Sequence, residues 1–332
     1  MMAGDAATRD ARLVSVIVLS WNSREFLEEC LASVLRQTHP EVELIVVDNA
    51  STDGSAALVK QRFPEASLVE NAANIGFCAG NNVGVRRARG GFVLFLNADA
   101  ILEPDYLERA LAALEAGASI GMVAGKVLRF DRRTLDTTGQ ILTRGRRVKE
   151  RGYGETDLGQ HDRPGEVFSV CGAVALYRRL VVDDVSLAGE FFDEDFFAFG
   201  EDLDVGWRAR RLGWRCVYEP RARAYHFRGG TQAVRPEGHA RRREMTRRPP
   251  QIQAHIVKNR YLAMIKNETP GSFLVNLPFI LGWELVLWAW LIMFSPATVP
   301  ILWGHRGLIG RALRKRRALR SRAAHQTARL GA

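Results

Sequence analysis

Two hydrophobic rhythms alternate over the first 130 residues. LVSVIVLS at 13–20 is an unbroken, β-branched run, the pattern of a strand buried on both faces. SREFLEECLASVLRQ at 23–37 then spaces Phe26, Leu27, Cys30, Leu31, Val34 and Leu35 three and four apart, a helical stripe with Ser23 placed to cap it. The rhythms repeat: a strand at 42–49, a helix at 54–63, a short strand at 66–71, a helix at 80–90 ended by glycine, the strand FVLFLNAD from 92, and a helix at 103–117 with Pro104 in its first turn. This βαβα order predicts an α/β fold, a doubly wound, mostly parallel sheet with helices on both faces.

Ligands of such sheets bind beyond the carboxyl ends of the strands. Three strands here end in polar residues: Ser20-Trp21-Asn22, Asp48-Asn49 and Asn97-Ala98-Asp99. Turn chemistry accounts for each alone; the three together predict a lined crevice. The turn after the first strand, SWNSRE, holds no glycine, so the dinucleotide fingerprint fails, and no Walker loop is found. Dehydrogenase and P-loop chemistries are set aside.

A second polar concentration lies at 189–227. EDLDVGWRARRLG (201–213) reads as a helix with an acidic first turn and basic last turns, and this match to its dipole is reason enough for the carboxylates. Their aromatic surroundings would also raise a carboxylate's pKa and prepare a general base. CGAVALYRR (171–179) reads as a strand in which Gly172 allows close approach. WRCVYEP (214–220) is a further strand, leading to His226, a lone histidine that a structural role fits better than a ligand role.

Composition changes the picture mainly at the C-terminal end. The 332 residues are 47% hydrophobic and 25% charged, those of a folded protein. Four widely spaced cysteines form no CxxC pair, which fits a reducing compartment and argues against a zinc cluster. The charged N-terminus lacks the apolar core of a secretory signal. Of the net charge of +10, nine Lys and Arg lie from Gly304 onward with no acidic residue, so the rest of the chain is nearly neutral. Before that tail come a basic run at 241–248, an amphipathic helix at 252–267 and the apolar stretch 273–294, interrupted by Asn276, Pro278 and Glu284. Four of the seven tryptophans fall in 283–303, an enrichment typical of the membrane interface. Two spans of about 20 residues each do not fit in 273–303. The expectation is a re-entrant or in-plane hairpin, with the tail on an anionic membrane surface rather than on nucleic acid. A buried helical pair and a single span are the alternatives.

The segments VIVLSWN, VVDNASTDGS, NIGFCAGNNVGV, FLNADA, FFAFGEDLDVGWRARRLGW and YHFRGGT, in this order over 13–230, resemble an inverting family 2 glycosyltransferase of the GT-A fold, most similar to rhamnosyltransferase-like and galactofuranosyltransferase-like members. The resemblance implies that Asp48 contacts the nucleotide base, with Ser20 and Asn22 beside it and Asp53 in the same loop. Asn74, Gly76, Asn81 and Asn82 would border the donor, although helix capping explains the asparagines equally well. Asn97-Ala98-Asp99 stands where the family has its DxD motif, leaving Asp99 as the carboxylate on Mg²⁺ or Mn²⁺ and Asn97 to bond the donor sugar or a metal-bound water, with His226 as a further metal ligand. Glu201-Asp202 would hold the catalytic base, assigned to Asp202. Gly172 and Trp207 would border the acceptor, although packing accounts for Trp207 as well.

The implied organisation is a disordered 1–11, a GT-A domain at 12–230, a basic linker and amphipathic helix at 231–271, a membrane-associated hairpin at 272–303 and an Arg-rich tail at 304–332. The implied function is transfer of one sugar from a nucleotide-sugar donor, by analogy dTDP-L-rhamnose, to a polyprenyl-diphosphate-linked glycan at the cytoplasmic face of the cell membrane. A processive synthase would carry QxxRW and several spans, and neither is present. A UDP- or GDP-sugar donor, a protein or soluble-glycan acceptor, and a non-catalytic membrane- or nucleic-acid-binding scaffold are the alternatives.

Overall fold

The computed structural model describes residues 10–228 and 248–330. Most of the expected disordered N-terminus, the boundary at 230 and most of the basic linker lie outside the described residues. In chain order the elements are β1 (Asp10–Ser20), α1 (Arg24–Leu35), β2 (Val42–Asp48), α2 (Ser55–Arg62), β3 (Ser67–Glu70), α3 (Gly76–Arg87), β4 (Gly90–Asn97), β5 (Ala100–Leu102), α4 (Tyr106–Glu115) and β6 (Ile120–Arg129). There follow β7 (Leu135–Thr137), β8 (Gln140–Leu142), β9 (Val148–Glu150), β10 (Gly165–Val167), β11 (Val174–Arg178), α5 (Arg179–Val185), α6 (Glu201–Arg211) and β12 (Arg215–His226). The C-terminal part holds α7 (Pro250–Asn267), α8 (Pro270–Phe294), α9 (Thr298–Gly304) and α10 (Leu308–Leu330).

The main sheet runs β10-β12-β6-β11-β4-β1-β2-β3, with β5 on β12 and β7 on β6; β8 and β9 form a separate hairpin. The half from β4 to β3 is parallel, as the alternation predicts. Beyond β4 the pattern mixes, because β11 runs antiparallel between β4 and β6. Strand residues alternate between two layers. Val14, Val16 and Val18 pack with α1, α2 and α4, while Ile17 and Leu19 pack with α3, α5 and α6. Burial on both faces is the physical reason these strands are uniformly apolar.

Sequence rhythm placed α3 four residues too late and gave no sign of β5 or of β7 to β10, three-residue strands too short to show a period. The C-terminal helices form an extension that packs on this body. Leu262 and Ala263 of α7, with Ala312 and Leu319 of α10, complete the second core layer. Within 272–303 there is one long helix, α8, and the seven-residue α9, which packs back on α7.

Candidate active site

At the ends of β1 and β2, Ser20 and Asp48 are register neighbours. Asp48 Oδ2 accepts the Ser51 N–H at 2.9 Å. Its buried Oδ1 and the buried Ser20 hydroxyl have no hydrogen-bond partner in the protein. Buried polar atoms are normally paired, so these two stand out at the strand ends. Asn22, with φ +50°, accepts the Thr52 N–H at 2.8 Å and ties the two turns together. Asp53 is spent on support: Oδ2 accepts the Arg24 N–H at 2.8 Å, and Oδ1 accepts Ser55 through its N–H at 3.0 Å and its hydroxyl at 2.6 Å. Partial burial pushes its pKa up, but these donors outweigh burial and hold it low. Asp53 thus serves both helix starts, whereas Ser23, the expected cap of α1, makes no side-chain bond there.

Asn74 accepts the Gly76 N–H at 2.9 Å and the Asn49 amide at 3.3 Å. Gly76 has φ +85°, and a Cβ there would lie 2.5 Å from the Phe197 ring. Asn81 donates to the Phe77 carbonyl in its own helix. Asn82 braces the Phe192 backbone, accepting its N–H at 3.0 Å and donating to its carbonyl at 2.8 Å. The structure therefore places Asn81 and Asn82 among the supports of the crevice.

Strand β4 ends at Asn97, and β5 pairs with β12 so that Ala100 lies opposite His226. This pairing brings two distant segments together. His226 Nε2 is 3.2 Å from Asp99 Oδ1 and 3.4 Å from Asn97 Nδ2. Its Nδ1 meets Asp136 Oδ2 at 2.9 Å, and Asp136, fully buried, also pairs with Arg228. Burial opposes a charged imidazole, but Asp136 and Asp99 outweigh it and push His226 up to about 9. Burial likewise opposes the Asp136 carboxylate, but His226 and Arg228 hold its pKa below the usual range.

A hard divalent cation fits here. A carboxylate oxygen and an imidazole Nε2 face each other, the oxygen and nitrogen donors Mg²⁺ and Mn²⁺ accept. The other ring nitrogen is engaged by a carboxylate, as in most metal-ligating histidines. A cation held here would take the place of a proton between Asp99 Oδ1 and Nε2.

Asp202 lies in the first turn of α6. Its Oδ1 accepts the Leu203 N–H at 2.7 Å, and its Oδ2 accepts the Gly172 N–H at 2.9 Å and Gln140 Nε2 at 2.8 Å. The same Gln140 nitrogen donates to Glu150 Oε1 at 2.9 Å, and Thr137 donates its hydroxyl to Oε2 at 2.5 Å. Burial pushes the Asp202 pKa up, with these donors working against it. Burial, then the Asp202 charge, raises Glu150 to about 7 and Glu201 to about 8. The ligand atoms of Glu150, Cys171 and Asp202 lie within 4.8 Å of one another. Gln140 already bridges the two carboxylates, and burial keeps the Cys171 thiol protonated. The two carboxylates therefore already share a donor, whereas Asp99 Oδ1 and His226 Nε2 face each other at 3.2 Å.

Asp202 and the Asp99–His226 pair are neighbours in the fold. Gly172, on Asp202, precedes Ala173, whose carbonyl takes the Asn97 N–H at 2.9 Å. One short segment serves both, since Asp136 holds His226 and Gln140 holds Asp202. Neither residue was singled out from sequence, nor was Glu150; no motif marks them. Trp207 is a packing residue, edge-on to Phe168 at 6.1 Å and 5.7 Å from the Arg146 guanidinium.

Residues 15–186 match the family model described as glycosyl transferase family 2. The N-acetylglucosaminyl-diphospho-decaprenol L-rhamnosyltransferase of Mycobacterium tuberculosis is 26% identical over 251 residues, 68% of this chain and 80% of that protein. The putative teichuronic acid biosynthesis glycosyltransferase TuaG of Bacillus subtilis is 39% identical over 105 residues, 30% of this chain and only 40% of TuaG. Among solved structures, the mannosyltransferase PcManGT from Pyrobaculum calidifontis, in complex with GDP-Man and Mn²⁺, aligns with a TM-score of 0.54, covering 95% of this chain and 86% of that one. At 21% identity the last likeness is one of fold.

Proposed function

The chain belongs to glycosyl transferase family 2, and from that premise we propose that it moves one sugar from a nucleotide-sugar donor to a hydroxyl of a lipid-linked glycan precursor, inverting the anomeric centre. The setting of Asp202 carries this reading: a buried carboxylate, its pKa raised, held by three donors beside the strand end that bears Asp99. Asp202 takes the proton of the acceptor hydroxyl as its oxygen attacks the anomeric carbon. The bond to the diphosphate breaks, and the nucleoside diphosphate leaves with the electron pair. A general base in this position contributes roughly 10²–10⁴-fold. Asp48 Oδ1 and the Ser20 hydroxyl bind the nucleotide, and Gly172 borders the acceptor. Asp99 and His226 hold the divalent cation, oriented by Asp136; when bound, the cation neutralises charge building on the departing diphosphate.

The proposed donor is dTDP-L-rhamnose, and the proposed acceptor is a polyprenyl-diphosphate-linked sugar. The name of the M. tuberculosis relative, an L-rhamnosyltransferase on N-acetylglucosaminyl-diphospho-decaprenol, supports both. A role in cell-envelope polysaccharide synthesis also has support from the name of TuaG. The enzyme works at the cytoplasmic membrane face, where a nucleotide sugar is available, and α8 seats it there. This 25-residue helix is long and apolar enough to cross a bilayer. Its Ile280, Glu284, Leu287 and Leu291 turn inward, while Leu274, Val275, Leu285, Ile292 and Met293 are exposed. Glu284 pairs with Arg260 and Tyr261 of α7, and Asn276 accepts Arg144 Nε at 3.1 Å. A helix tied along its middle to the domain surface favours lying in the membrane face over crossing it.

A donor screen tests the proposal. Nucleoside diphosphate release is followed with Mn²⁺ or Mg²⁺, a panel of nucleotide sugars, and an N-acetylglucosaminyl-diphospho-lipid present or absent. The expected result is turnover of dTDP-L-rhamnose that requires both metal and lipid. Turnover of a different donor overturns the sugar assignment, and turnover with soluble glycans alone overturns the lipid acceptor. Asp202→Asn should abolish transfer while donor affinity by calorimetry is kept; full activity in that variant removes Asp202 as the base.

A further inference from the structure

The turn that presents Asp202 adopts a backbone that its own sequence does not favour. Phe197, Phe199 and Gly200 have φ of +64°, +74° and +80°, immediately before Glu201. Left-handed backbone is disfavoured for phenylalanine and persists only where surroundings enforce it. The enforcement comes from α7. Asn259, 1% exposed, directs its Nδ2 to the carbonyls of Ala198 and Phe199 at 2.7 Å each and of Phe196 at 3.1 Å. Two hydrogens are shared among three acceptors. The fourth carbonyl of the turn, that of Phe197, takes the Cys78 N–H at 3.0 Å. Next to Asn259, Lys258 Nζ donates to the Asp195 carbonyl at 2.5 Å. Farther along α7, Lys266 Nζ and Asn267 Nδ2 hold the two oxygens of Asp204, each at 2.8 Å. Helix α7 thus grips α6 on both sides of Asp202.

We propose that Asn259 is a positioning residue for sugar transfer, fixing the 196–199 carbonyls so that α6 begins where Asp202 meets Gly172 and Gln140. The inference rests on the reading of Asp202 as the base. Without the amide donors, the Ala198 and Phe199 carbonyls lose that partner while Phe196 keeps only the Ala198 N–H, and Phe197 and Phe199 return to ordinary backbone. The first turn of α6 then shifts, and Asp202 loses its register with the acceptor hydroxyl. Misplacement of a reacting group by about 1 Å can cost about 100-fold in rate. The donor-facing atoms of Ser20, Asp48 and Asp99 stand on other strands and stay in place.

Asn259→Asp and Asn259→Ala test this. The aspartate keeps the shape but replaces donors with an acceptor facing three carbonyls, so it should do more harm than alanine. Loss of packing alone would give the opposite order. For Asn259→Asp, kcat should fall about 100-fold while donor KM and calorimetric donor affinity stay near wild type. Amide hydrogen exchange over 197–204 should quicken, with the β1 to β4 strands unchanged. Alanine doing more harm than aspartate, kcat and KM changing together, or wild-type exchange over 197–204 would each overturn the inference. If the Asn259 variants do not fold, Lys258→Met reaches the same turn through Asp195 and is read by the same measures. Asp202→Asn is run in parallel. Full transfer in that variant sinks the base assignment, while the exchange data still decide whether Asn259 holds the turn.

Discussion

Asp202 sits where burial and hydrogen bonding oppose each other, and Gln140 is the donor that can be removed without touching the backbone. Gln140→Leu deletes a hydrogen bond to the charged form, so ionisation of Asp202 becomes harder. The acid limb of the kcat–pH profile should therefore move to higher pH. An unchanged limb would mean that Gln140 does not bear on the base. Glu150 has the opposite sign. Its folded pKa, about 7, lies above its ordinary value of 4.5, so between these pH values the folded state binds more protons than the unfolded one. Stability from this group is complete below the unfolded pKa and is lost as pH rises through the folded value. Glu150→Gln should flatten that decline in denaturant titrations run from pH 4.5 to 7.5, and a slope equal to wild type would refute it. Asp136 holds the Nδ1 of His226, the proposed metal ligand. Asp136→Asn should weaken Mn²⁺ binding about 10- to 100-fold, measured by electron paramagnetic resonance without substrate; unaltered affinity would take Asp136 out of that role.

At the scale of elements, what was legible in the sequence follows from burial. Strands β1, β2 and β4 are covered on both faces, so their apolar runs are continuous and their polar ends, Ser20, Asp48 and Asn97, stand out. The helix opening at Glu201 was legible from its charge pattern, and His226 only through resemblance. Asp136, Gln140 and Glu150 were not legible, because β7, β8 and β9 are three residues long and their partners are set by tertiary contact. Helix α7 was legible as a helix but not as a wall of the site. Its polar residues Lys258, Asn259, Lys266 and Asn267 are buried, where the pattern suggested an outer face. Lys266 makes the cost of removing that wall measurable. Its ammonium is wholly buried between Asp193 and Asp204, and Asp204 also accepts Arg208 Nε at 2.9 Å. Lys266→Met should destabilise the fold by about 3–5 kcal/mol, since two buried carboxylates lose a partner. The Asp193 pKa is held low by Lys266 and Lys315 against burial, so the wild-type advantage is present above the ordinary aspartate value and vanishes as pH falls through the folded one. A variant as stable as wild type at pH 7 would show that Arg208 and Lys315 suffice.

The whole molecule divides its basic tail between two tasks. Lys315 pairs with Glu190 at 2.9 Å and Asp193 at 2.6 Å, Arg311 pairs with Asp195 at 2.8 Å, and Arg322 donates to the Asp184 carbonyl at 2.7 Å. With Ala312 and Leu319 buried, α10 is a structural layer of the catalytic body, and deleting it would confound stability with membrane affinity. Arg306, Arg314, Arg317 and Arg320 stay exposed and are the charges left for a headgroup layer. Substitutions separate the contributions cleanly. Leu281 and Leu285 are 53% and 74% exposed on α8, so changing both to Glu removes no core packing. If that face enters lipid, each leucine contributes about 1.5–3 kcal/mol, and the double variant should lose co-sedimentation with neutral and anionic vesicles alike while its melting temperature holds. Changing Arg314, Arg317 and Arg320 to Gln should instead weaken binding to anionic vesicles alone, by about 1 kcal/mol per charge, in a manner that added salt abolishes. Vesicle binding that depends only on the arginines would make the membrane contact electrostatic, leaving the apolar face of α8 for a second copy of the chain. The Leu281/Leu285 variant would then run as a monomer in light scattering where the wild type does not.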